Sequence, residues 1–128
     1  MARVTRRWRG AWRAWDAASV VVFVVLGRRV HDHGVRLSGV AHTAWPFAAG
    51  LVVGWFVAGG LGWRAGQTRS GYVIATATVV VGMLLRVVSG QGTAVAFVAV
   101  AVGFFALLTV APRALAWRAR GRWRSRRR

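Results

Sequence analysis

Two stretches of this 128-residue chain, 37–63 and 87–112, contain no Asp, Glu, Lys or Arg, although the formal net charge is +17. Each stretch is long enough for a helix of about 20 residues to cross about 30 Å of hydrocarbon. A soluble protein this basic would be read as a nucleic-acid binder. Here the nineteen basic residues, all arginine, crowd the two tails and the loops between apolar runs. Hydrophobic residues make up 56% of the chain, above the roughly 45–50% of ordinary soluble domains. That layout belongs to a membrane protein, and no nucleic-acid partner is expected. With no cysteine, disulfides, iron–sulfur clusters and thiolate metal sites are excluded.

The runs resolve into four spans, near 12–30, 39–60, 71–88 and 93–111, and predict an all-α integral membrane bundle of four transmembrane helices. The third is uncharged until Arg86. The first is the shortest: only eleven residues, "AASVVVFVVLG", separate Asp16 from Arg28. It reaches spanning length from Trp12 to Val30 if Arg13, Arg28 and Arg29 snorkel to the interfaces. A secretory signal peptide would also begin with a basic segment and a short apolar core, and "TRRWR" at 5–9 is similar to a twin-arginine signal. However, "RRVHDHG" rather than a small-residue cleavage site follows the core. The segment is therefore read as retained. The organisation is a basic amphipathic interfacial segment at 1–13, a transmembrane domain at 14–112 and an arginine-rich tail at 113–128.

Arginine counts in short loops set orientation. The N-terminal tail carries five, the 61–70 loop two and the segment from Arg113 eight. The opposite side has Arg28, Arg29 and Arg36, with Arg86 close by. Both termini are expected in the cytoplasm of a multi-pass cell-membrane protein. Trp8, Trp12 and Trp15 follow i, i+4, i+7 spacing on a face apart from Arg6, Arg9 and Arg13. Such a helix lies in the membrane interface before turning into the first span. Both ends would then bind anionic lipids of the inner leaflet, each arginine contributing about 1 kcal/mol.

Within the second span, Gly50 and Gly54 form a G-x-x-x-G pair continued by Ala58, spacing that lets helices approach closely. Whether the partner is a helix of this chain or of a second protomer stays open. Pro46 removes a backbone donor and disfavours helix at Trp45, so the backbone at 42–45 is expected to be irregular. Asp16 opens the first span and is expected to pair with Arg13 one turn back, as a structural carboxylate.

The polar residues expected on the outer side are Arg28, Arg29, His31, Asp32, His33, His42, Arg86 and the Gly90-Gln91-Gly92-Thr93 turn. Two readings of Arg86 follow. In one it is tethered to backbone carbonyls, or to Asp32, and fixes the third helix against the turn. In the other, Arg28, Arg29 and Arg86 converge with His31, Gln91 and Thr93 on an anion or polar solute, aided by free N–H groups at the start of the fourth helix. His31, His33 and His42 also invite a metal reading, but the surrounding arginines oppose a cation. No metal or other cofactor is expected. No nucleophile triad, phosphate loop or paired carboxylate recommends an enzyme.

Taken together, Asp16, "GRRVH" (27–31), "TAWPFAAGLVVGW" (43–55) and "GMLLRVVSGQGTAVAF" (82–97) resemble a family of small bacterial and archaeal membrane proteins catalogued as the domain of unknown function 3054. The resemblance runs from about Trp12 to Pro112. It implies four spans, makes Asp16, Arg28, Arg29, His31, Pro46, Arg86 and the Gly90–Thr93 turn signature positions, and carries no activity. Two functions are compatible with the residues. One is a small permease or channel-like protein for an anionic or polar solute, working as a homo-oligomer. The other is a non-catalytic accessory or assembly subunit bound to another membrane protein.

Overall fold

A computed structural model describes residues 2–31 and 33–125. Its elements are α1 (Ala2–Val30), α2 (Leu37–Gly60), α3 (Thr68–Val88), α4 (Val95–Phe105), a π-helical segment (Ala106–Val110) and α5 (Ala111–Ser125). No strand occurs among the described residues. Four helices are long and apolar enough to cross a membrane, the last running from α4 through the π segment into α5. The helices alternate up and down in a ring: α1 packs on α2 and on the α4–π helix, and α3 packs on the same two. Both chain ends therefore lie at one end of the bundle, and the α1–α2 and α3–α4 turns lie at the other.

Turns follow from glycine. Gly62 and Gly90 take φ of 71° and 72°, a left-handed conformation that costs a residue without a Cβ nothing. The carbonyls left open at the end of α3 are then met by Gly90 N–H to Val87 O (3.1 Å) and Gln91 N–H to Arg86 O (2.9 Å). Gly62 closes α2 in the same way, with its N–H on Gly59 O and that of Trp63 on Ala58 O.

Lipid tails are as apolar as the side chains, so helix association here rests on close packing rather than on escape from water. The Gly50–Gly54 stripe faces α3 of the same chain. A Cβ at Gly50 would stand 2.8 Å from the carbonyls of Ala77 and Thr78, and one at Gly54 would stand 2.9 Å from Ile74 Cα. Gly71 likewise lies against the Thr109 carbonyl, and Gly82 admits the ring of Phe47. Between the close approaches sits an aromatic core. Phe23 has the rings of Phe47, Phe97, Phe104 and Phe105 around it at 4.9–5.6 Å, with Val20, Val24, Leu51, Ile74 and Val79 completing the packing.

Three expectations change. First, α1 is one unbroken helix from Ala2, with no turn between an interfacial segment and the span. At 1.5 Å per residue its 29 residues reach about 43 Å, longer than the hydrocarbon it crosses. Trp12 and Trp15, assigned to lipid, instead contact the chain: the Arg113 guanidinium lies 4.8 Å from the Trp12 ring centroid, and Trp15 Nε1 donates to Leu108 O at 2.8 Å.

Second, residues 42–45 are helical and α2 passes through Pro46. Forfeiting one hydrogen bond leaves fewer bare backbone groups in lipid than unravelling a turn. Third, the segment from Arg113 is helical to Ser125, because α5 continues the last span; 126–128 lie outside the described residues. Pro112 cannot donate to Leu108 O, the carbonyl four residues back; the Trp15 indole occupies it.

Substituting Gly50 by Val is expected to cost about 1–3 kcal/mol through overpacking. Gly103→Ala, where nothing lies within 4 Å of the added Cβ, should be neutral or stabilise the helix by up to about 1 kcal/mol. Thermal unfolding of the two variants in detergent checks the pair.

Candidate functional site

Charged groups meet the bundle at both of its ends, in two different ways. At the chain-terminal end Asp16 and Arg113 form a fully buried pair. Arg113 Nη1 donates to Asp16 Oδ1 and Nη2 to Oδ2, each at 2.8 Å, the two-pronged geometry that suits a planar guanidinium. Trp55 Nε1 donates to Oδ2 at 3.1 Å. Arg113 also reaches Thr109 O (2.8 Å) and Ala65 O (2.7 Å).

The Thr109 contact depends on the π segment, whose interrupted ladder releases carbonyls to side chains. Within it the Thr109 hydroxyl donates to Phe105 O or Gly71 O. Asp16 therefore does not pair with Arg13, whose guanidinium lies over the Trp55 ring at 5.5 Å. Three helices, α1, α2 and α5, thus meet at one carboxylate, and both charges are neutralised.

At the opposite end Arg28 and Arg86 are not neutralised. Arg28 donates from Nε to Gly34 O (2.9 Å), from Nη2 to His33 O (2.8 Å) and from Nη1 to Thr43 Oγ1 (3.0 Å). Arg86 donates from Nε to Gly92 O (3.2 Å), from Nη2 to Gln91 O (3.1 Å) and from Nη1 to Gln91 Oε1 (3.0 Å). Its guanidinium sits 4.7 Å from the Phe97 centroid, so it rests on the phenylalanine core. Among the described residues, every hydrogen-bond acceptor of the two cations is neutral.

Both arginines line a cavity of about 300 Å³ between the helix ends, together with His31, His33, His42 and Gln91. Among the described residues no carboxylate lines it, and Asp32 lies outside them. Gln91 Nε2 is buried without a hydrogen-bond partner, a donor whose desolvation costs about 1–3 kcal/mol while it stays unmet.

Of the anion set expected from sequence, Arg28, His31, Arg86 and Gln91 share this cavity. Arg29 is exposed and Thr93 half-buried before α4, and neither lines the cavity. The carbonyl tether expected for Arg86 is present, and so is the shared cavity; the two readings are compatible. His31, His33 and His42 all line the cavity. Among the described residues, though, no three metal-ligating side chains come together. The sequence reading missed Thr43, which lies nearly two turns into α2 and accepts from Arg28. It also missed Arg113, the first cation after a charge-free run and the natural partner for a lone acid within a span.

Asp16→Asn is expected to destabilise the fold by about 3–5 kcal/mol, because it strands Arg113 as a buried charge. Adding Arg113→Met should recover most of that loss, since removing both charges is often close to neutral. Denaturant titration of the single and double variants measures both effects.

A family model described as "Protein of unknown function (DUF3054)" matches residues 13–116. No curated protein and no solved structure matches the chain.

Proposed function

The chain belongs to the DUF3054 family, and we propose that it is a multi-pass permease of the cell membrane, taking a small anionic solute into the Arg28–Arg86 cavity. The observation that carries this reading is the pair of cations sharing one cavity with no described counter-charge. Like charges in a medium of low polarity repel strongly, and an anion between them relieves that repulsion. The histidines and the orphaned Gln91 amide supply further polar groups for it. Placed by the arginine counts, the cavity opens outward and both termini are cytoplasmic. The arginine-rich ends of α1 and α5 then engage anionic lipids of the inner leaflet.

An open channel is the less suitable form. Directly beneath the cavity the five phenylalanines fill the bundle, and at its other end the Asp16–Arg113 pair closes it. Passage requires helices to move, and the π segment between Phe105 and Arg113 is the interruption that permits such movement. Four short helices enclose little space, so a homo-oligomer is the working form. The alternative role, an accessory subunit, gains no support from the Gly50–Gly54 face, because α3 of the same chain occupies that face.

In proteoliposomes the protein should accelerate uptake of labelled acetate or chloride. Arg28→Gln should reduce the initial rate by about tenfold or more, while Gly103→Ala leaves it unchanged. Absence of flux for these anions and for phosphate, from folded protein that still binds one of them, would replace the permease by a binding subunit. Reporter fusions at each terminus should both read as cytoplasmic.

A further inference from the structure

The two hairpins, α1–α2 and α3–α4, are built on one plan displaced by 58 residues. Arg28 and Arg86 stand at that displacement, and so do the glycines that close their turns, Gly34 (φ 68°) and Gly92 (φ 75°). The leading helices end at Val30 and Val88, and the returning helices begin at Leu37 and Val95. The arginines use the same atoms in the same way: Nε donates to the carbonyl six residues on, and Nη2 to the carbonyl five residues on.

Deeper in the bundle Phe47 and Phe105 hold the same register, are both buried, and lie 5.8 Å apart. At the far end Trp55 and Arg113 also stand 58 apart and donate to the same Asp16 carboxylate. Leading helices run toward the cavity and returning helices away from it. The relation is therefore that of a parallel repeat about an axis along the bundle, of the kind seen in transporters assembled from duplicated units.

Resting on the anion-binding reading above, we infer that Arg28 and Arg86 form a single cradle, one arginine from each repeat, for one planar oxyanion such as a carboxylate. The shared tether decides which donors remain. A guanidinium has five N–H groups; three are engaged in each residue, leaving one on Nη1 and one on Nη2. Two coplanar donors match two coplanar oxygens better than a spherical ion.

Both side chains are already held in place. The turn carbonyls fix each guanidinium, Phe97 lies along that of Arg86, and Gly39, at the position equivalent to Phe97, lies directly against that of Arg28. A ligand thus meets donors whose conformational entropy has already been lost. A role in turn closure alone would account for Nε and Nη2. It would not account for two cations, each with N–H groups to spare, lining one cavity.

The test is binding of isotope-labelled acetate and of chloride to the full-length protein in detergent at fixed ionic strength, with melting temperature recorded for each variant. Acetate is expected to bind about tenfold more tightly than chloride, and Arg28→Gln and Arg86→Gln should each weaken acetate by about tenfold or more. If Arg86→Gln fails to fold, Arg86→Lys serves, since it keeps the charge and loses the planar fork; Gly39→Ala is a second probe of Arg28. Its Cβ collides with the Arg28 guanidinium and displaces it without removing charge, so acetate binding should fall with melting lowered no further than in Arg28→Gln. Acetate binding lost in Arg86 variants but kept in both Arg28→Gln and Gly39→Ala would mean a one-arginine site and overturn the cradle, leaving the anion site standing. Chloride bound as tightly as acetate would overturn the planar ligand class alone. No binding of either anion by the wild-type protein would remove the anion-binding reading itself.

Discussion

Asp16 and Arg113 join the first membrane span to the last, and the shape of the chain-terminal half of the bundle depends on that join. A carboxylate placed alone in lipid is costly; with two guanidinium N–H groups and the Trp55 indole on its oxygens it becomes a specific tie between α1, α2 and α5. The tie also explains the irregular backbone nearby. The π segment and Pro112 release carbonyls that a regular helix would keep, and Arg113 and Trp15 take them. An uninterrupted helix would leave Arg113 fewer acceptors and Trp15 none at this position.

Packing carries the rest. Where burial from water gives no advantage, contact area and fit decide which helices adhere. The α2–α3 seam is the closest because Gly50 and Gly54 put backbone against backbone. At the equivalent positions of the second repeat, 58 residues on, stand Leu108 and Pro112, and neither permits such an approach. The α4–α1 seam is therefore looser, and the π segment packs mainly on α3, where Gly71 meets the Thr109 carbonyl. Near-symmetry in the backbone plan thus coexists with one tight and one yielding seam.

The spans were legible because the chain confines its arginines. The runs located both ends of α2 and α3, and the start of α4, to within about three residues, the usual uncertainty of helix termini. Helix continuation past the membrane was not legible: nothing in 1–13 or after Arg113 breaks a helix, but charge there reads as a boundary. Asp16 was legible as the carboxylate that opens the first span, yet its partner was missed. Arg113 is 97 positions away and was counted among the topological charges of the tail. In the cavity, Arg28 and Arg86 were legible as ends of spans running the same way. Arg29 was not separable from Arg28, since adjacent helical residues point about 100° apart and only the packing of α1 decides which one turns inward. The repeat escaped notice because positions such as Trp55 and Arg113 share a place and a partner but no residue type.

The two ends of the molecule dispose of charge in opposite ways, and this difference bears most directly on function. At one end a single acid and a single arginine cancel inside the protein, so nothing need enter from outside. At the other, the repeated plan supplies an arginine twice and supplies no carboxylate among the described residues. Duplicating a hairpin that ends in a carbonyl-tethered arginine is harmless for one copy, because an arginine near a membrane boundary can be hydrated. Closing two copies into one ring brings both cations to the same cavity, where each raises the electrostatic cost of the other. The fold therefore creates a demand for negative charge, at the end of the bundle where this cavity lies, that its own described residues do not meet.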